Sequence, residues 1–115
     1  MKIKVSTKNR YGFTPDVFGN MEQSEKSRWV IYFKKPSWYE SVEAMGSDLG
    51  KWSRKLIENC FLDMENAPVL EIGGKERELE ISDIFEIPEL SPVATAVNVF
   101  VKKLIAPEGE EVKNL

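Results

Sequence analysis

The order of apolar and polar positions predicts strands in the first third of the chain. Residues 2–6 alternate lysine with β-branched residues, which indicates a strand at the edge of a sheet. Residues 28–34 are mostly β-branched or aromatic, which predicts a strand buried on both faces or covered by a partner. Residues 7–27 between them contain glycine, proline and polar residues and predict a loop. This loop contains an apolar cluster that should pack onto another surface: Phe13, Val17 and Phe18.

A helical period replaces the strand pattern after Pro36, where Ser37 can cap a helix. Gly46 and Gly50 interrupt this helix, and a glycine in a helix interior costs about 1 kcal/mol relative to alanine. We expect a break near Gly46, with Ser47 capping a second helix; the alternative is that the glycines permit close backbone approach. The apolar positions, spaced alternately by four and three residues, are Trp38, Val42, Met45, Leu49, Trp52 and Leu56.

A hairpin and a short turn are predicted next. Two runs of alternating apolar and acidic residues flank Gly73 and Gly74, and such a glycine pair favours the positive φ angles of a tight hairpin turn. Ser82 is placed to cap one helical turn that ends before Pro88.

The last apolar segment fits two periods. Alternate residues of 93–101 fit a strand, whereas a spacing of four, three and four residues fits a helix. We favour the helix because the segment is long and lies between Ser91-Pro92 and Pro107. The positions with helical spacing are Val93, Val97, Phe100 and Leu104.

The predicted order of elements is β-β-α-β-β-α, with the first helix broken. This order is typical of an α+β fold: a small, mostly antiparallel sheet of about four strands with helices packed on one face. We expect residues 1–107 to form this single domain and residues 108–115 to form a charged, flexible C-terminal tail.

Composition excludes several classes of function. The chain has 115 residues, 42% hydrophobic and 30% charged, which is typical of one globular domain. The net charge is −3 and the basic residues are scattered, so a nucleic-acid partner is not expected. Polar residues interrupt the apolar stretch at 93–105, which excludes a membrane span there. A single cysteine and the lack of an apolar leader predict a cytoplasmic protein.

Few residues could support catalysis. Without histidine, the chain lacks imidazole acid–base chemistry and the usual zinc ligands, and no phosphate-binding glycine loop occurs. Cys60 follows the helical period and is expected to be a buried small hydrophobe. Glu76, Glu78 and Glu80 alternate and should lie on the solvated face of a strand. We therefore expect no catalytic residue, no metal and no cofactor.

Surplus apolar surface is the remaining functional signal. The apolar faces of the two long helices either pack on the sheet or dock a protein partner or a second copy of the chain. The candidate partner-binding residues are Phe13, Val17, Phe18, Trp38, Trp52, Val99 and Val101.

Several short motifs resemble one known group of proteins. They are Phe13-Thr14-Pro15, Gly19-Asn20, Lys35-Pro36 before an amphipathic helix, and the segment Ile57–Ile105 with its glycine-containing hairpin, acidic turn and last helix. This layout resembles small proteins of siphophage and prophage tail-gene modules in Gram-positive bacteria, often classed as tail assembly chaperones. The resemblance implies a non-catalytic accessory protein that binds the tape-measure or tail-tube protein in the host cytoplasm and self-associates. The alternatives are a structural virion protein, such as a tail completion or connector subunit, and a small sensor or enzyme.

Overall fold

A three-stranded antiparallel sheet in the order β1-β2-β3 forms the centre of the fold. The computed structural model describes residues 1–5, 7–44 and 49–105. The strands are β1 (Tyr11–Phe13), β2 (Val30–Phe33) and β3 (Phe61–Glu65). β2 pairs with both neighbours, so that Tyr32 lies between Gly12 of β1 and Asp63 of β3.

The alternation along β2 produces one buried and one solvated face of this sheet. Ile31 and Phe33 are fully buried, whereas Tyr32 is only partly buried on the opposite face. The guanidinium carbon of Arg10 lies 3.8 Å from the centre of the Tyr32 ring. A Cβ atom at Gly12 would lie 3.1 Å from this ring, so the glycine lets the tyrosine side chain lie across β1.

The helices supply most of the remaining core. They are α1 (Trp38–Ala44), α2 (Leu49–Cys60), α3 (Asp83–Glu86) and α4 (Ser91–Ile105). α4 lies on the buried face of the sheet, where the Phe100 ring is 6.0 Å from that of Phe33 and 5.3 Å from that of Phe13. The fully buried helix residues include Leu56, Ile57, Cys60, Val93, Val97 and Val101. The helical interpretation of the last segment is therefore confirmed.

A separate hairpin follows the central sheet. Strands β4 (Val69–Ile72) and β5 (Lys75–Glu78) form a two-stranded antiparallel sheet. Gly73 and Gly74 connect them with φ angles of 59° and 80°, a conformation that L-residues with a side chain rarely adopt. This confirms the predicted hairpin and its turn.

The α+β class is confirmed, but the strands are arranged differently from the prediction. Within the described residues, five strands form two sheets, in place of about four strands in one sheet. The predicted strand at residues 2–6 is wrong for its described part, because residues 1–5 have no regular structure and the Ile3 and Val5 side chains are about four-fifths exposed (80% and 79%). An alternating pattern forms a strand only where a neighbouring strand supplies hydrogen bonds. Such pairing occurs instead in β1, within the predicted loop.

Two predicted helix starts have different outcomes. Ser37 caps α1 as expected: its N–H donates to the Glu40 carboxylate (3.1 Å), and the Glu40 N–H donates to the Ser37 hydroxyl (3.2 Å). The turn α3 is present, but Ser82 makes no side-chain capping bond. The Asp83 carboxylate instead accepts a hydrogen bond from the Glu80 N–H at 2.7 Å, which ties the first residue of α3 to the segment before the helix.

Other predictions concern segments outside the described residues. The predicted break near Gly46 and the predicted cap at Ser47 fall within residues 45–48, outside the described ranges. The tail at 108–115 also lies outside the described ranges.

Candidate functional site

The predicted partner-binding residues divide between the core and the surface. Val101 is fully buried, and Phe13 and Val17 are half-buried against the core, so these three side chains stabilise the fold. Phe18, Trp38 and Val99 are exposed. The side chain of Trp52 lies outside the described part of the chain. The structure therefore does not bring the seven residues together on one surface.

The first turn of α1 presents two large aromatic side chains to solvent. Trp38 is 78% exposed and Tyr39 is 66% exposed. Val42 lies one turn further along and is also exposed. We call Trp38, Tyr39 and Val42 the α1 aromatic surface. Sequence reasoning missed Tyr39, because its position falls outside the alternating spacing of four and three residues.

Polar contacts fix the orientation of this surface. Glu40 forms the capping box with Ser37 and an ion pair with Lys34, which lies just after β2. The Lys34 ammonium and the Ser37 hydrogen bonds lower the pKa of the Glu40 carboxyl, so this contact is ionised at neutral pH. Ala44 at the other end of α1 is fully buried. The aromatic side chains are thus carried by a helix that is held at both ends.

A second apolar surface follows the hairpin. A groove of about 710 Å³ runs along β4, and among the described residues no member of β5 lines it. The groove therefore follows the edge of β4 that faces away from β5. Glu71 and Glu89 also line it. We call it the hairpin groove; its apolar lining includes Phe18, Val69, Leu70, Ile72, Ile87 and Leu90.

Phe18 reaches this groove from a strained backbone position. Its φ angle is 51°, in the left-handed region, and its side chain is 72% exposed. A bulky residue in this region costs about 1–2 kcal/mol. Sequence reasoning placed Phe18 in an apolar cluster but could not detect this strain.

The buried amide of Asn20 holds the loop that carries Phe18. It accepts a hydrogen bond from the Trp29 N–H at 2.8 Å. It also donates to the carbonyl oxygens of Pro15 (2.8 Å) and Trp29 (3.0 Å). Because Asn20 is almost fully buried, these bonds are protected from competition with water. They tie both sides of the loop to the start of β2.

The residues considered for chemistry are buried or exposed as the sequence predicted, although Glu80 lies beyond the end of β5. Cys60 is fully buried, and burial raises the pKa of its thiol to about 11, so the thiolate is scarce at neutral pH. Glu76, Glu78 and Glu80 are exposed to solvent. Within the described ranges, no group of three or more histidine, cysteine or acidic residues is placed to hold a metal ion.

The length of the helices bears on membrane insertion. None of the helices in residues 1–5, 7–44 and 49–105 combines the length and the apolar character that crossing a bilayer requires.

Comparison with protein-family models, with curated proteins and with solved structures finds no match for this chain.

Proposed function

We propose that this chain is a non-catalytic accessory protein that binds another protein through the α1 aromatic surface. The observation that supports this most directly is the exposure of Trp38 and Tyr39 at consecutive positions of a capped helix. Burying a large apolar side chain contributes about 2 kcal/mol or more, so this surface holds unused binding free energy. Tryptophan and tyrosine are also the residues most enriched at the centres of protein interfaces.

We infer the type of partner from the resemblance to phage tail-module proteins. On this proposal the chain is a tail assembly chaperone that acts in the bacterial cytoplasm. Its partner is the tape-measure or tail-tube protein, and the α1 aromatic surface covers an apolar segment of that partner before assembly. A fixed aromatic surface suits this role, because it needs little ordering upon binding.

On this proposal a tape-measure protein is encoded in the same gene module, and co-expression of the full chain with it tests the proposal. We expect the two proteins to purify as one complex. The double variant Trp38→Ser/Tyr39→Ser should weaken the complex at least about tenfold, since interface aromatics contribute more than about 1 kcal/mol each.

The control is Leu62→Ser, which removes an exposed apolar side chain from β3. This variant should retain the partner. Thermal unfolding of each variant separates lost binding from lost folding. If the two wild-type proteins purify independently, or if both variants bind equally well, the proposed function is wrong.

A structural virion subunit, such as a tail completion or connector protein, is the second candidate. The observation in its favour is the open edge of β4, since such an edge can pair between neighbouring subunits. Mass spectrometry of purified particles distinguishes the two. A chaperone should be absent from the mature particle, whereas a structural subunit should be present in a fixed copy number.

A further inference from the structure

We infer that copies of this chain associate by strand donation. The segment Met1–Val5 of one copy adds to the free edge of β4 in a second copy, and its apolar side chains enter the hairpin groove. This contact uses a surface separate from the α1 aromatic surface, so it stands or falls independently of the proposed function.

The free edge of β4 is the first part of the argument. In the described chain, β4 pairs with β5 alone, and the hairpin groove follows its other edge. An exposed edge presents unpaired backbone N–H and C=O groups that can pair with another strand. No residue of β4 is a lysine or a proline, the residues that commonly block such edges. The edge is therefore open to an added strand.

The groove beside this edge can take apolar side chains. Leu70 and Ile72 project from the same face of β4, because successive strand residues point to opposite faces. Leu70 packs partly against the core, and Ile72 is 52% exposed. Phe18 and Ile87 line the same groove. An added strand would cover these side chains with every second residue of its own.

The segment Met1–Val5 has the matching pattern. Ile3 and Val5 would project from one face of a strand, and Lys2 and Lys4 from the other. The two apolar side chains are about four-fifths exposed, and the segment pairs with no described strand of its own chain. A sequence that favours a strand but has no strand beside it is suited to pair with the edge of another molecule.

The charges of the hairpin also favour Met1–Val5 as the added strand. On the outer face of the hairpin, Glu71 lies directly opposite Glu76, and like charges in this position repel. Neither carboxylate takes part in any of the ion pairs found among the described residues. When Ile3 lies against the face of Leu70 and Ile72, Lys2 and Lys4 project to the opposite face of β4, on the side of Glu71, and Glu76 lies one strand further away on β5. The apolar and charged positions of the two strands thus match in one register.

Topology favours a second copy over the same chain. The Asn9 side chain is held by the Lys35 backbone, beside the end of the sheet where Tyr11 pairs with Phe33. The hairpin follows Glu65, which lies at the opposite end of the same sheet. The segment therefore leaves the sheet at the end opposite to the one from which its own hairpin follows.

Sedimentation velocity of the full chain, over a broad range of concentration, tests the inference. We expect the wild type to form species of at least twice its mass of 13.2 kDa. Lys2→Glu/Lys4→Glu should weaken association at least about tenfold, and so should Glu71→Lys/Glu76→Lys. An equimolar mixture of the two variants should associate again, because each supplies the charge that the other needs.

The matched control is Lys26→Glu/Lys103→Glu, which changes the net charge equally at two exposed positions away from the segment. It should associate like the wild type. A wild type that stays monomeric overturns the inference, and so does a mixture of folded variants that fails to associate. If the protein is a monomer and Lys2→Glu/Lys4→Glu alters amide hydrogen exchange in β4, the segment binds the hairpin of its own chain. Strand donation between copies is then excluded. The variant Trp38→Ser/Tyr39→Ser should still self-associate, which separates this result from failure of the proposed function.

Discussion

Two arginine–aspartate pairs with similar geometry should differ greatly in their effect on stability. Arg77 donates two hydrogen bonds to Asp83, at 2.9 and 2.6 Å, and Arg10 donates two to Asp63, at 2.8 and 2.7 Å. Their environments differ, because the Asp83 side chain is 7% exposed and that of Asp63 is 53% exposed. Burial, and not the number of arginine contacts, should therefore determine the cost of removing each carboxylate.

The expected magnitude follows from the contacts of Asp83. Its carboxylate also accepts the Glu80 N–H at 2.7 Å, so Asp83→Asn weakens three charge-assisted hydrogen bonds. Hydrogen bonds to charged groups contribute about 1.5–3 kcal/mol in net terms. Because Arg77 is half exposed, water replaces part of this loss, and we expect Asp83→Asn to cost about 2 kcal/mol. Asp63→Asn removes an exposed pair and should leave the free energy of unfolding nearly unchanged.

Urea unfolding followed by circular dichroism measures both variants. Asp83→Asn should lower the midpoint without changing the slope, since the surface exposed on unfolding is the same. In thermal unfolding, about 2 kcal/mol corresponds to a decrease in Tm of about 8 °C for a domain of this size. Equal costs for the two variants would refute the reasoning, because the pairs would then not be distinguished by burial.

Three further results are expected. The hydrogen bond from Arg77 lowers the pKa of Asp83, so the unfolded chain binds more protons than the folded chain. The stability that the ionised Asp83 carboxylate contributes is therefore present above about pH 4 and is lost as the pH falls through the lower pKa of the folded state. In urea unfolding across this pH range, the free energy of unfolding should fall less for Asp83→Asn than for the wild type. Equal decreases would show that Asp83 does not cause the pH dependence. Asn20→Ala should cost about 3 kcal/mol, because it leaves the buried N–H of Trp29 without its partner, and a change below about 1 kcal/mol would show that water replaces the amide. Phe18→Asn should raise the free energy of unfolding by about 0.5–1 kcal/mol, since asparagine tolerates the left-handed region, whereas Phe18→Ala should not raise it.

Local physics explains the elements that sequence reasoning predicted correctly. The spacing of Val93 and Val97 places both on one helix face, and both are buried in α4. The turn at Gly73 and Gly74 needs positive φ at both positions, a requirement that is visible in the sequence itself. In each case the decisive interactions lie within a few residues of each other.

Long-range contacts explain what could not be predicted. β1 has three residues around Gly12 and is a strand only because it pairs with β2, which is remote in sequence. The spacing that begins at Trp38 is the same for a core helix and for an interface helix, so it could not show that Trp38 is exposed and Leu56 buried. The left-handed conformation of Phe18 likewise depends on the loop that Asn20 holds.

The unfavourable features of the isolated chain lie together beside the hairpin. Phe18 has a strained backbone and an exposed ring, and Glu71 faces Glu76 across the hairpin. Glycine or asparagine in place of Phe18, and opposite charges at Glu71 and Glu76, would stabilise the monomer. Features that oppose stability commonly persist where function requires them. Since Phe18 and Glu71 both line the groove along the open edge of β4, this side of the molecule is better suited to contact with another strand than to stability alone.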